Sequence, residues 1–292
     1  MFEEHPFLNK VIVRDKRLGS IRSILRTAGE IRQTQYDLVV NLHRFASSGW
    51  LTLLSKGKTK VGFKKNPLSA FYSKSFEHQI GAKGDVSFSH EVERNHSLIQ
   101  EWCEGEAGRP KLYPPEKIRN EEVSKLVEGS SDYLVMAPAS VWFTKQFPKE
   151  KWVELLDRVK GSKVFLIGGP DDSELCQMIA EKSEHKDALN LCGKLSLLES
   201  CTLMQGATRV FVNDSAPLHL ASSVNANVTS IFCSTIPEFG FGPLSDDHII
   251  VQKRETLTCR PCGLHGKRSC PEGHFKCALD ITTDDLVDSI QS

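Results

Sequence analysis

The chain reads as an α/β protein built on parallel sheets, and three observations predict this. Short apolar runs rich in Val, Ile and Leu alternate with helical patterns through residues 133–232. Three of those runs break into small or polar residues just before a helix, at 138–145, 168–172 and 213–219. An open parallel sheet presents its ligand at such breaks. The length of 292 residues accommodates two domains of ordinary size.

Taken in order, Val11-Ile12-Val13 reads as a short strand and Ile21–Ile31 has helical spacing. Tyr36–His43 reads as a strand ending in polar residues, 47–54 as a short helix and Lys60–Phe63 as a strand. Residues 90–103 look helical, with Val92, Ile99 and Trp102 on or near one face. Residues 104–131 are polar and hold Pro110, Pro114 and Pro115, which predicts a linker and divides the chain into domains 1–125 and 126–292. The second half then alternates: strand 133–137, helix 148–159, strand 163–167, helix 172–182, strand 188–191, helix 197–206, strand 210–212, helix 217–224 and strand 228–232. A Cys-rich loop and a terminal helix complete it.

Acidic and basic residues balance at 37 each, so no overall field draws the chain to nucleic acid. No apolar run reaches the ~18–20 residues that span a bilayer. The opening Met1-Phe-Glu-Glu-His-Pro has no basic segment followed by an apolar core, so a cytoplasmic location is expected. There the nine cysteines should be reduced, buried or metal-bound rather than paired.

The most informative stretch is Val210–Ser222, Val-Phe-Val-Asn-Asp-Ser-Ala-Pro-Leu-His-Leu-Ala-Ser. Asp214 or Ser215 can cap the helix that begins here, and Pro217 suits its first turn. Free N–H groups and the positive dipole end then favour a phosphate or carboxylate. His219, four residues after Ser215, shares its helix face. In the loop 138–145, Ser140 and Thr144 offer hydroxyls and Lys145 a charge for a diphosphate; the alternative is a solvated loop. Gly168-Gly169 allow close backbone approach, and a carboxylate nearby could bind ribose hydroxyls; the alternative is an ordinary turn with an Asp cap. Cys259, Cys262, Cys270 and Cys277 form a C-x2-C-x7-C-x6-C array, which could be a structural zinc site, free thiols or one disulfide.

With these residues laid out, the chain resembles glycosyltransferase family 9, the ADP-heptose:lipopolysaccharide heptosyltransferases. The resemblance is carried by Ala137-Pro-Ala-Ser140, Lys145-Gln-Phe-Pro148, Trp152, Leu166-Ile-Gly-Gly-Pro-Asp-Asp-Ser-Glu174, Asn190–Glu199 and, most specifically, Asn213-Asp-Ser-Ala-Pro-Leu-His219. His5–Val13, Tyr36–His43 and His90–Arg94 extend it into the first half. It implies two Rossmann-like domains in the GT-B arrangement, with the nucleotide sugar in the C-terminal domain, the lipid A-core acceptor on the N-terminal one and no divalent metal required. Ser140 and Lys145 would contact the diphosphate, Asp172 or Glu174 the ribose, and Leu195 the adenine. Asp214 and His219 would hold the sugar, and the Ser215 and Ala216 amides would meet the phosphates. The resemblance also leaves room for peripheral contact at the inner face of the inner membrane.

Two departures qualify the likeness. The family usually has Gly where this chain has Ala216, whose methyl would crowd the phosphate or forbid a positive φ. Family members also begin with a strand, Gly-Asp-x-x-Leu and a helix, and the Asp of that motif is the proposed general base. No such motif precedes His5-Pro6, so ~50 residues, roughly the first βαβ unit, are expected to be absent. The leading expectation is an inverting transferase moving heptose from ADP-heptose to the lipopolysaccharide inner core. The alternatives are a non-catalytic nucleotide-binding protein of this fold and a GT-B-type epimerase.

Overall fold

The computed structural model describes residues 1–2, 4–85, 89–130, 132–159 and 161–291. The chain divides into two compact units: Phe7–Gly108, and a larger unit formed by Met1–Pro6 with Arg109–Ser292. The units part at Gly108, within the 104–131 stretch but before the 125/126 division expected from the sequence.

The larger unit is built on strands β4 (Tyr133–Ala137), β5 (Lys163–Leu166), β6 (Ala188–Asn190), β7 (Arg209–Asn213), β8 (Val228–Phe232) and β9 (His248–Gln252). They form one sheet in the order β6-β5-β4-β7-β8-β9, every pair parallel. The order reverses direction between β4 and β7, which places the topological switch point there. Helices α5 (Lys149–Arg158), α6 (Ser173–Lys182), α7 (Leu197–Gln205) and α8 (Ala216–Ser223) join successive strands, and α9 (Lys276–Leu279) and α10 (Asp284–Gln291) follow.

The apolar runs are explained by burial on both sides. Leu134 and Met136 belong to one core with Trp152, Leu155 and Phe211. Their neighbours Tyr133, Val135 and Ala137 belong to a second core with Phe165, Val210 and Val212. Successive strand residues point to opposite faces, and both faces are covered. Each Val, Leu, Met or Phe side chain among them contributes ~1.5–3 kcal/mol on full burial.

The stretch read as a linker is partly core. A π-helical turn, Ile118–Val123, runs into α4 (Ser124–Val127), and Leu112, Ile118, Val123 and Leu126 pack into the second core. Prolines and charged residues hide this spaced apolar set in the sequence.

The smaller unit holds α1 (Ser20–Ile31), β1 (Gln35–Asn41), α2 (Ala46–Leu54), β2 (Lys56–Phe63), β3 (Lys74–Phe76) and α3 (Glu91–His96). Its sheet is parallel, in the order β1-β2-β3. Val61, Phe63 and Leu98 form its small core.

Two expectations fail here. Val11–Val13 forms no strand, and Val13 is 83% exposed. Among the described residues no strand lies beside it, and extended backbone without a ladder gains no pairing energy. The helix expected over 90–103 stops at His96. Its start is fixed by a capping box between His90 and Glu93. Its end falls where Asn95, His96 and Ser97 favour turns, and the Ser97 hydroxyl donates back to the Arg94 carbonyl at 2.7 Å. No described helix is long and apolar enough to cross a membrane.

Candidate functional site

Three loops leave the carboxyl ends of β4, β5 and β7, neighbours in the sheet, and so converge on the switch point. They frame a cavity of about 610 Å³. Ser140, Asp171, Asp172, Ser200 and Ser215 give it polar groups, and Ile167, Leu195, Leu197, Met204 and Leu220 an apolar wall. A concave, mostly apolar site with a few placed polar groups suits a small organic ligand.

The β4 loop is held from the end of β7. Asn213, fully buried, accepts from the Phe147 N–H at 3.0 Å and donates to the Pro138 carbonyl at 2.6 Å. Gln146 donates to the Ser140 carbonyl at 2.6 Å. These bonds bring Lys145 to Asp214, with Nζ and Oδ2 2.8 Å apart and side-chain exposures of 15% and 8%. The Thr235 hydroxyl donates to the same carboxylate oxygen at 2.5 Å. A buried lysine–carboxylate pair needs such extra bonds to offset desolvation.

The β5 loop turns on Gly168 and Gly169. The Gly169 N–H donates to Asp172 Oδ2 at 2.8 Å, so one carboxylate oxygen closes the turn. A Cβ on Gly168 would lie 2.8 Å from that same oxygen. Gly193, at φ +71°, sits against Pro170 so closely that a Cβ would meet Pro170 Cα at 2.8 Å.

At the β7 loop Ser215 is the N-cap of α8 with extended backbone, but its side chain does not cap the helix. Its hydroxyl donates to the Asn213 carbonyl at 3.3 Å. Ala216 occupies the first helical turn beside Pro217 and lines the cavity. It is not among the described residues of positive φ, so the methyl is sterically present in the cavity wall without backbone strain.

Of the residues expected from the sequence, Ser140, Gly169, Asp172, Leu195, Ser215 and Ala216 line the cavity. Lys145 and Asp214 are absent from the cavity lining and pair with each other. Glu174 and His219 are exposed and absent from the cavity lining; the His219 ring lies 6.4 Å from that of Phe241, edge to face. Thr144 is fully buried, and its hydroxyl accepts from the Lys267 N–H at 2.7 Å and from Ser234 at 3.0 Å. It therefore braces the loop from beneath. Asn213 and Thr235 were not singled out from the sequence. Asn213 carries a signal, as the polar residue closing an apolar strand; Thr235 carries none.

The four cysteines of the C-x2-C-x7-C-x6-C array, read as a structural zinc site, free thiols or one disulfide, are unbridged. Cys259 Sγ lies 3.8 Å from His274 Nε2, while the Cys262 thiol points to the Cys259 carbonyl at 3.5 Å. Among the described residues no group of three or more His, Cys, Asp or Glu is placed to hold a metal.

Comparison with known proteins gives a consistent result. Residues 24–272 match the family model of glycosyltransferase family 9 (heptosyltransferase). The chain is 26% identical to lipopolysaccharide heptosyltransferase 3 of Escherichia coli over 248 residues, 80% of this chain and 72% of that protein. A solved glycosyl transferase family 9 protein from Veillonella parvula superposes with TM-score 0.81 at 20% identity, covering 99% of this chain and 83% of that one. The E. coli heptosyltransferase WaaC solved with ADP gives 0.67 at 20% identity, with 96% and 82% covered.

Proposed function

The chain belongs to glycosyltransferase family 9 and is a glycosyltransferase; on that footing we propose that it transfers heptose from ADP-heptose to the lipopolysaccharide inner core with inversion. The observation that carries the reading is the cavity lined by the β4, β5 and β7 loops, two of which also supply the Lys145–Asp214 pair. The E. coli relative solved with ADP shares the fold, and the curated relatives are lipopolysaccharide heptosyltransferases.

In this reading the adenine packs on Leu195 and its apolar neighbours, and the ribose meets Asp172, whose second oxygen is not needed by the Gly169 turn. The diphosphate faces Ser140, Lys145 and the first-turn amides of α8. Lys145 carries three donors and gives one to Asp214, leaving others for the phosphates. Asp214 holds sugar hydroxyls. An acceptor hydroxyl then attacks the anomeric carbon in line with the departing ADP: the new C–O bond forms as the sugar–phosphate C–O bond breaks, and a general base takes the hydroxyl proton. Lys145 and the α8 amides stabilise the charge that develops on the leaving diphosphate, in positions fixed before the reaction begins. The 7–108 unit carries acceptor recognition, and the lipid-linked acceptor brings the protein to a membrane surface.

Calorimetric titration with ADP and ADP-heptose tests the proposal. Both should bind, and Lys145→Met should weaken both by about tenfold or more, the usual loss for a charge-assisted bond. Absence of binding by both ligands would overturn the reading.

A further inference from the structure

The Cys-rich loop is not part of the cavity, yet it is bonded directly into the scaffold of the Lys145–Asp214 pair. Beyond β8 the chain runs through Cys233, Ser234 and Thr235, all essentially buried. These residues lie past the end of the strand, so their carbonyls lack ladder partners and need others. Arg260, 9% exposed, supplies one for Thr235. Its Nε and Nη2 donate to the Thr235 carbonyl at 3.2 and 2.7 Å, and Nη2 also reaches the Phe232 carbonyl at 3.2 Å. Gln252 on β9 accepts from the same nitrogen at 2.6 Å. The Cys262 N–H donates to the Ser234 carbonyl at 2.9 Å.

The clamped segment touches Asp214 directly and reaches the neighbour of Lys145, Thr144. Its Thr235 hydroxyl donates to Asp214 Oδ2, the oxygen that faces Lys145. Its Ser234 hydroxyl bonds Thr144, whose N–H donates to the Lys267 carbonyl at 3.1 Å. On the same loop Gly266 packs against Lys145 so closely that a Cβ would lie 2.9 Å from Lys145 Cγ. The carboxylate is thus aimed by this segment, and the segment is fixed by a fork-shaped guanidinium with enough rigid donors to hold it.

We infer that Thr235 and Arg260 are positioning residues for the sugar-holding carboxylate: Arg260 fixes the Thr235 carbonyl, and Thr235 orients Asp214 toward the donor sugar. This rests on the donor-site reading above. It gives the loop 259–267 a role in donor recognition that depends on its backbone and Arg260 rather than on its thiols.

The test compares ADP with ADP-heptose binding by calorimetry for the unaltered chain and for Thr235→Val, Thr235→Ser, Arg260→Gln and the Thr235→Val/Arg260→Gln double variant. Valine keeps the shape of threonine without the donor, and serine keeps the donor. Thr235→Val should weaken ADP-heptose about tenfold and change ADP by no more than about twofold, because Asp214 acts on the sugar. Thr235→Ser should stay within about twofold for both ligands. Arg260→Gln should show the same selective loss, and the double variant no more than the larger single loss, since both act through one contact. Should Arg260→Gln fail to fold, the Val–Ser pair alone decides. Equal loss of ADP and ADP-heptose would indicate a purely structural role and overturn the inference. So would equal behaviour of Val and Ser, or unchanged ADP-heptose binding by Thr235→Val. Failure of the unaltered chain to bind either ligand is a different result: it removes the donor-site reading, and this inference with it.

Discussion

Strands β4 and β1 carry the same kind of sequence signal and meet different fates. Tyr133–Ala137 is buried at every residue, whereas in Gln35–Asn41 only Asn41 is buried and Val40 is 37% exposed. Leu42, just beyond, is 45% exposed. The difference lies in the neighbours. β4 sits between β5 and β7 with a core on each face, while β1 is at the edge of a three-stranded sheet over a small core. An apolar run states that a strand can be buried on both faces; the elements beside it decide whether it is.

Core substitutions should expose that asymmetry most strongly. Trp152 is fully buried among Leu134, Phe147 and Leu155, so Trp152→Ala should cost about 3–5 kcal/mol in urea unfolding. Val40→Ala should cost no more than about 0.5 kcal/mol. Equal losses would break the contrast.

Glycine substitutions should separate the units by sign. Gly193→Ala forces a Cβ onto a residue at φ +71° and against Pro170, and should lose about 1–3 kcal/mol along with donor affinity. Gly29, in α1, has nothing within 4 Å of an added Cβ, so Gly29→Ala should gain about 0.5–1 kcal/mol. Thermal melts of both variants check the pair.

The smallest effect concerns acid. Burial pushes the Glu91 carboxyl up, but His78 and Arg94 outweigh it and hold the group below the usual glutamate range. Both His78 contacts lie near 3 Å, and Arg94 Nε is 2.9 Å away. The folded value is depressed, so the stabilisation is present above the ordinary value and is lost as pH falls through the lower folded one. Far-UV unfolding of the intact chain below about pH 4 should therefore show a loss that Glu91→Gln reduces. An unchanged acid profile in that variant would contradict it.

The sequence made the larger unit legible because its strands are continuous apolar runs punctuated by Gly, Pro and Asn. It missed β3, a three-residue strand beginning with Lys74, and β9, an edge strand flanked by charged residues. Local motifs identified Lys145 and Asp214 individually. Their pairing depends on β4 and β7 being sheet neighbours, which neither motif states. Thr144 reads as a ligand hydroxyl because it shares the loop 138–145 with Ser140; only packing shows it buried beneath the loop. Arg260 was hidden for the opposite reason, since a charged residue between cysteines reads as exposed loop until the orphan carbonyls past β8 are seen to need it.

Hydrogen exchange of the intact chain with and without ADP tests the account most directly. The account predicts ADP-dependent protection of the 138–145, 168–172, 193–195 and 215–220 segments, with β1 and β2 unchanged. Protection confined to the 7–108 unit, or none at these four segments under conditions where ADP binds, would contradict it.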